Sequence, residues 1–160
     1  MPAKIEIGFS QMEDQLRRLE QAGAQIRPIV TESLEETQLM INRDLRQAMQ
    51  RHHRDHKGKH TVDAIIESKV EWDGDTAAID LGFDIANGGL ASIFLMYGTK
   101  PHGPRGTSEA TIRRGGGHGH PGTQPDTHLK NAIFGTTTAK KIKDLQAEAL
   151  AKASQEILGG

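Results

Sequence analysis

Four histidines, His52, His53, His56 and His60, fall within nine residues of one another. His52 and His56 are four apart, so on a helix they share a face and could grip one metal ion together. Asp55 is the only carboxylate close by at a ligand spacing. The same pattern also describes a solvated, basic helix end, where histidine and lysine suit the negative pole of the helix dipole. Gly58-Lys59-His60-Thr61 resembles a phosphate loop only in part. The first glycine is missing and histidine stands at the hydroxyl position, so the pattern fails. A second group, Arg113-Arg114-Gly115-Gly116-Gly117-His118-Gly119-His120, combines fixed charge, two titratable rings and pliant backbone. Such a segment suits phosphate or a carboxylate surface on a partner.

No serine sits in a nucleophile elbow, and Asp80 and Asp84 fall on the wet face of a strand pattern, where they read as solubilising residues. The chain has no cysteine, which excludes a disulfide framework, an iron–sulfur cluster and a thiol nucleophile. No catalytic, cofactor or metal site is therefore expected.

These residues must be positioned by a modest core. The chain has 160 residues, about the size of one domain. Leu, Ile, Val and Phe make up only about a fifth of it, near the edge of what folds. A formal net charge of −1 lacks the self-repulsion of a disordered chain and the excess of a general nucleic-acid binder. No apolar run approaches the ~20 residues of a membrane span, and the start of the chain has no signal-peptide pattern. A protein made in the cytoplasm is expected.

Ile5, Ile7 and Phe9 alternate as in a short strand, and Ser10 precedes Glu13 at capping-box spacing for a first helix. Met12, Leu16 and Leu19 follow at helical period, until Gly23 and Pro28 interrupt. Ile26, Val30, Leu34, Thr37, Ile41, Leu45 and Ala48 then predict a long amphipathic helix reaching about Arg54. Beyond it, Ile66, Val70 and Trp72 alternate with Glu67, Lys69 and Glu71. Asp73-Gly74 predicts a hairpin, and Ala77, Ile79, Leu81, Phe83 and Ile85 predict its second strand. Leu90, Ile93, Phe94 and Tyr97 suggest a short buried helix ending in a left-handed cap at Gly98. From Gly98 to Pro125 the chain has 8 Gly and 4 Pro in 28 residues and no apolar period. A loop this long is uncommon inside a compact domain and is usually functional. Leu129, Ala132 and Ile133 begin the final helical stretch, Asp126 to Leu158, with Ile142, Leu145, Ala149, Ala153 and Ile157 as its later stripe. Gly135 is placed to divide it.

Ser92-Ile93-Phe94-Leu95-Met96-Tyr97-Gly98-Thr99-Lys100-Pro101-His102, then His120-Pro121-Gly122-Thr123-Gln124-Pro125 and Leu129-Lys130-Asn131-Ala132, carry a resemblance. They are similar to the tail-completion and head–tail connector family of long-tailed bacteriophages, also described as minor tail components. That family shows an aromatic-Gly-Thr turn, a variable loop, His-Pro-Gly-Thr and a Pro…Leu…Ala helix start. The order of elements agrees along most of the chain, while the specific motifs occupy about 35 residues. Met96 stands where family members often carry glutamate.

The resemblance implies a non-enzymatic virion protein at the head–tail junction. It implies a homo-oligomeric ring meeting connector or stopper proteins on one side and tail-tube or terminator proteins on the other, with DNA passing through it. The expected fold is a single α+β domain over residues 1–160. A small antiparallel sheet with a central hairpin packs against long N-terminal and C-terminal helices, and residues 98–125 form an extended assembly loop. The expected contacts are Tyr97, Gly98, Thr99, Lys100, Pro101, His102, Arg105, Arg113, Arg114, His120, Pro121, Gly122, Thr123 and Pro125. The alternative is a nucleic-acid-binding module using the basic loop. Residues 99–127 carry a net charge of only +2, few for the phosphate contacts duplex binding needs.

Overall fold

The computed structural model describes residues 3–5, 13–21, 25–52, 60–103 and 119–158. It is an α+β arrangement built on one central helix. Strand β1 (Ala3–Ile5) is followed by helices α1 (Glu13–Gln21) and α2 (Ile26–Met49). Strands β2 (Glu71–Asp73) and β3 (Thr76–Leu81) come next, then α3 (Leu90–Tyr97), α4 (Thr127–Phe134) and α5 (Thr136–Leu158).

Helix α2 follows the predicted period closely: Val30, Leu34, Thr37, Ile41, Leu45 and Ala48 are all buried. Pro28 sits in its first turn, where the missing N–H costs nothing. The helix ends at Met49 and a tight turn carries the chain to His52, so the expected continuation to Arg54 lies outside the described residues. So do Ser10, Met12 and Gly23, and with them the predicted capping box.

The sheet has the order β1-β3-β2, antiparallel throughout. The hairpin forms, but its turn is Gly74 and Asp75, one residue later than the expected Asp73-Gly74, because Asp73 pairs with Thr76; Gly74 takes φ +59°, the left-handed region such turns require. Trp72 pairs with Ala77. Its indole N–H donates to Thr31 of α2 at 3.2 Å, and Arg27 lies 5.0 Å over its ring while donating to the Gly74 carbonyl. The hairpin is thereby fastened to the start of α2.

Three strand expectations need correction. The strand expected over Ala77 to Ile85 runs Thr76–Leu81: Phe83 makes only an isolated bridge to Ile65, and Ile85 opens the turn before α3. The first strand is Ala3–Ile5 rather than Ile5 to Phe9, and Ile7 and Phe9 lie outside the described residues. Residues 66–70 keep the predicted alternation of burial but form no regular ladder. Ile65 pairs with Phe83 whereas Glu71 pairs with Ala78, a register offset of one residue. Ser68 fills the gap: its hydroxyl accepts from the Asp80 N–H and donates to the Asp80 carbonyl. Gln38 of α2 donates to the same carbonyl at 2.9 Å, so helix and sheet share this polar joint.

One hydrophobic core lies between α2, the inner face of β3, and α4 with the first turns of α5. A smaller one, centred on Leu19 and Leu150, holds α1 against the far half of α5. Helix α5 runs antiparallel to α2, since Lys141 bonds Asp44 while Lys152 bonds Glu32. As predicted, Gly135 divides the C-terminal helical stretch; Asn131 O would lie 2.5 Å from any Cβ there.

Candidate assembly interface

Helix α3 forms where predicted, but its buried face is the opposite one. Ser92 and Met96 point inward, and Leu95 packs partly against the core. Ser92 Oγ donates to the Gly89 carbonyl at 2.6 Å, a bond within the helix's own first turn that lets the hydroxyl be buried. Leu90, Ile93, Phe94 and Tyr97 therefore face outward, 50, 37, 47 and 57% exposed. The spacing i, i+3, i+4, i+7 defines one face but does not say which way it turns. The turn before α3 is capped by Asp84, whose carboxylate accepts from the Ala86 and Asn87 N–H groups. Asp84 is thus a structural cap rather than a solubilising residue.

At Gly98 the backbone takes φ +71° and ψ 175°, so the chain does not curl into a left-handed cap but departs as an extended strand. That strand meets the returning segment antiparallel. Thr99 N–H donates to the Thr123 carbonyl at 2.9 Å, and Thr123 N–H donates back at 3.1 Å. The same exchange joins His102 and His120, at 3.0 and 2.7 Å. Gly98 and Gly122 make the approach possible. A Cβ on Gly98 would stand 2.5 Å from the Thr123 oxygen, and one on Gly122 would stand 2.5 Å from the Thr99 oxygen. The two histidine rings stack at the open end, with centroids 5.1 Å apart and planes within 15°. His120 Nδ1 accepts from the Gly122 N–H and the Nδ1 of His102 lies 3.1 Å from the Lys100 carbonyl, so each ring is held by its own strand.

The ribbon is rooted in the core. Asp126 N–H donates to the Leu95 carbonyl at 2.7 Å. The Asp126 side chain caps α4, accepting from the N–H groups of His128 and Leu129, and its other oxygen lies 2.6 Å from His52 Nε2. Burial alone would raise the Asp126 carboxyl; the His52 ring and the two N–H donors outweigh it and hold the group below its ordinary value. Lys130, one turn into α4, lies 5.4 Å over the Tyr97 ring.

Of the residues expected to make contacts, Tyr97, Gly98, Thr99, Lys100, Pro101, His102, His120, Pro121, Gly122, Thr123 and Pro125 are brought together in this ribbon and its root. Arg105, Arg113 and Arg114 lie outside the described residues. So do His53 and His56 of the histidine group. Its two described members serve local structure: His52 binds Asp126, and His60 opens the turn Thr61–Ala64 with its N–H on Asp63. Both line a groove of about 370 Å³ floored by Met49, Val62, Phe94 and Leu95. Among the described residues, no three metal-binding side chains converge and no hydroxyl is hydrogen-bonded to His52 to extend the His–Asp pair. No described helix is long and apolar enough to cross a membrane.

Sequence reasoning missed the part of Asp126 and the outward face of α3. For Asp126 a signal existed, an aspartate directly after Pro125 and three residues before Leu129, the usual helix-start pattern. Compared with known proteins, the chain matches no family model, no curated protein and no solved structure.

Proposed function

We propose that this chain is a structural subunit of a bacteriophage neck, a tail-completion or head–tail connector protein acting as part of a homo-oligomeric ring, and not an enzyme. One observation carries the reading. The two segments with the family-like motifs, far apart in sequence, are hydrogen-bonded to each other and rooted in the core through Asp126. A stem of this kind holds the base of a long connection rigid while offering its outer residues to a neighbour. That combination suits a ring subunit, whose loop must meet its neighbour at a fixed place. The neighbours in this reading are connector or stopper proteins towards the head and tail-tube or terminator proteins towards the tail.

Immunogold electron microscopy of particles from the producing host tests it. Label at the head–tail junction is the expected result; absence of the protein from every particle rejects the role. Deleting Ser108–Gly117 should leave a folded protein whose heads and tails fail to join, and fully active particles would remove the loop from the assignment.

A further inference from the structure

The chain has three asparagines, Asn42, Asn87 and Asn131. Asn42 and Asn131 lie inside α2 and α4, and Arg43 and Ala132 follow them. Asn87 differs in both respects. It is exposed in the turn that leads into α3, and the residue after it is Gly88, also exposed. An asparagine amide is thermally labile, most of all where the next peptide nitrogen can reach its side-chain carbonyl. Glycine puts no side chain in the way of that nitrogen.

Asp84 holds this turn closed. Its carboxylate accepts from the N–H groups of Ala86 and Asn87 and, through Oδ2, from the Asn87 side-chain amide at 2.5 Å. Its carbonyl accepts from the Asn87 N–H and, at 2.8 Å, from the Gly89 N–H. Gly89 in turn accepts from Ser92 in the first turn of α3. With ψ 31° at Asn87, the Gly88 nitrogen lies nearly opposite the Asn87 Cβ across the Cα–C bond. It reaches Cγ only after that bond rotates, and the rotation carries Gly89 away from the Asp84 carbonyl. The reaction must therefore wait for the turn to open, a local event separate from global unfolding.

We propose that Asn87 is a site of spontaneous deamidation, gated by the Asp84 cap, and that its modification loosens the start of α3. The Gly88 nitrogen gives up its proton to solvent base and attacks Asn87 Cγ. A C–N bond forms, the Cγ–Nδ2 bond breaks, and Nδ2 takes up a proton and leaves as ammonia. One water then opens the cyclic imide. Attack at Cγ gives aspartate; attack at the main-chain carbonyl gives isoaspartate, with Cβ inserted into the backbone. Nothing is oxidised or reduced, and water is the only co-reactant. Either product puts a second negative charge beside Asp84 in place of an amide donor, and like charges so close repel. Isoaspartate also lengthens a turn with no slack, since even a Cβ on Gly89 would stand 2.5 Å from the Asp84 oxygen.

Incubation of the full chain at mildly alkaline pH, followed by peptide mass mapping and labelling with an isoaspartate-specific methyltransferase, tests it. The Asn87 peptide should gain the mass of an amide-to-acid exchange and take the label, while Asn42 and Asn131 keep their amides. Asp73-Gly74 can form isoaspartate without losing ammonia, so the label is read peptide by peptide. Asp84→Ala should quicken conversion of Asn87 about threefold to tenfold, the release of one hydrogen bond of ordinary strength. Asp84→Asn, which keeps a capping oxygen, takes its place if that variant fails to fold. Asn87→Asp, the product written into the sequence, should lower the melting temperature and speed hydrogen exchange in α3 relative to α2. An Asn87 that keeps its amide in the folded chain, over a period that converts it in urea, overturns the site. Equal rates in wild type and the Asp84 variant overturn the gate, and an Asn87→Asp protein as stable as wild type overturns the consequence. None of these outcomes depends on the neck role.

Discussion

His52 Nε2 lies 2.6 Å from Asp126 Oδ2, across 74 residues of sequence, and joins the end of α2 to the cap of α4. Because the Asp126 N–H also holds the Leu95 carbonyl, one residue ties together α2, α3, α4 and the root of the ribbon. Few positions outside the apolar core connect so much of this fold.

The joint should be visible in pH dependence. Asp126 has a carboxyl held below its ordinary value of 3.8, so its charged form stabilises the folded state. That contribution is complete above the ordinary value and is lost as pH falls through the lower folded one. Asp126→Asn keeps a capping side chain but removes the charge. It should cost about 1 kcal/mol at neutral pH, measured by urea denaturation, and the gap to wild type should shrink below pH 3.8. A gap constant with pH would mean the charge is irrelevant.

Gly98→Ala and Gly122→Ala should open the ribbon. Both positions have positive φ, and both new methyl groups would meet a carbonyl oxygen at 2.5 Å. Conformational strain alone is about 1–2 kcal/mol, before the clash. Hydrogen exchange at the Thr99 and Thr123 amides should accelerate sharply in either variant while the α2 amides stay protected. Gly74→Ala makes the control, since nothing lies within 4 Å of its added Cβ and only the strain remains. Equal protection of the threonine amides in all three variants would refute this account.

A stabilising substitution should exist at Ser33. Its hydroxyl is buried and has no hydrogen-bond partner among the described residues. Ser33→Ala removes that cost and improves helix propensity, together worth about 1 kcal/mol. Its melting temperature should rise by several degrees; a fall would show that the hydroxyl is satisfied in solution.

Position along α2 should matter more than residue type. Leu45 is fully buried and Leu39 is 69% exposed on the same helix. Leu45→Ala should cost about 2–5 kcal/mol by cavity formation, whereas Leu39→Ala should stay within about 0.5 kcal/mol of wild type. Chemical denaturation of the pair decides it, and comparable losses would contradict the arrangement of the core around α2.

Much of this architecture was legible because period and burial coincide. The α2 stripe, the inward face of Ile79 and Leu81 and the division at Gly135 each follow from one local rule, and each is found. What escaped notice depended on rotation or pairing. The outward turn of α3 shows only in its packing, with Ser92 and Met96 buried and Leu95 against the core, and an apolar stripe is equally consistent with either rotation. In α5 the buried line runs through Ile142, Gln146, Leu150 and Ala153, so Leu145 and Ala149 of the expected stripe are only half-buried. Glycine and proline marked residues 98–125 as a loop, yet its two ends pair. Threonine and histidine opposite their own kind, with a glycine beside each close approach, become a ribbon only when the distant partner is known.

The crossing at Gly98 and Gly122 also makes the protein modular. Four backbone hydrogen bonds, two between Thr99 and Thr123 and two between His102 and His120, close the stem, so it is held by main-chain pairing rather than by side-chain packing of its own. Closing a longer connection costs little, about 0.6 kcal/mol for each doubling of length. The stem therefore tolerates a change in the length of chain between residue 103 and residue 119 at little cost to the body that carries it.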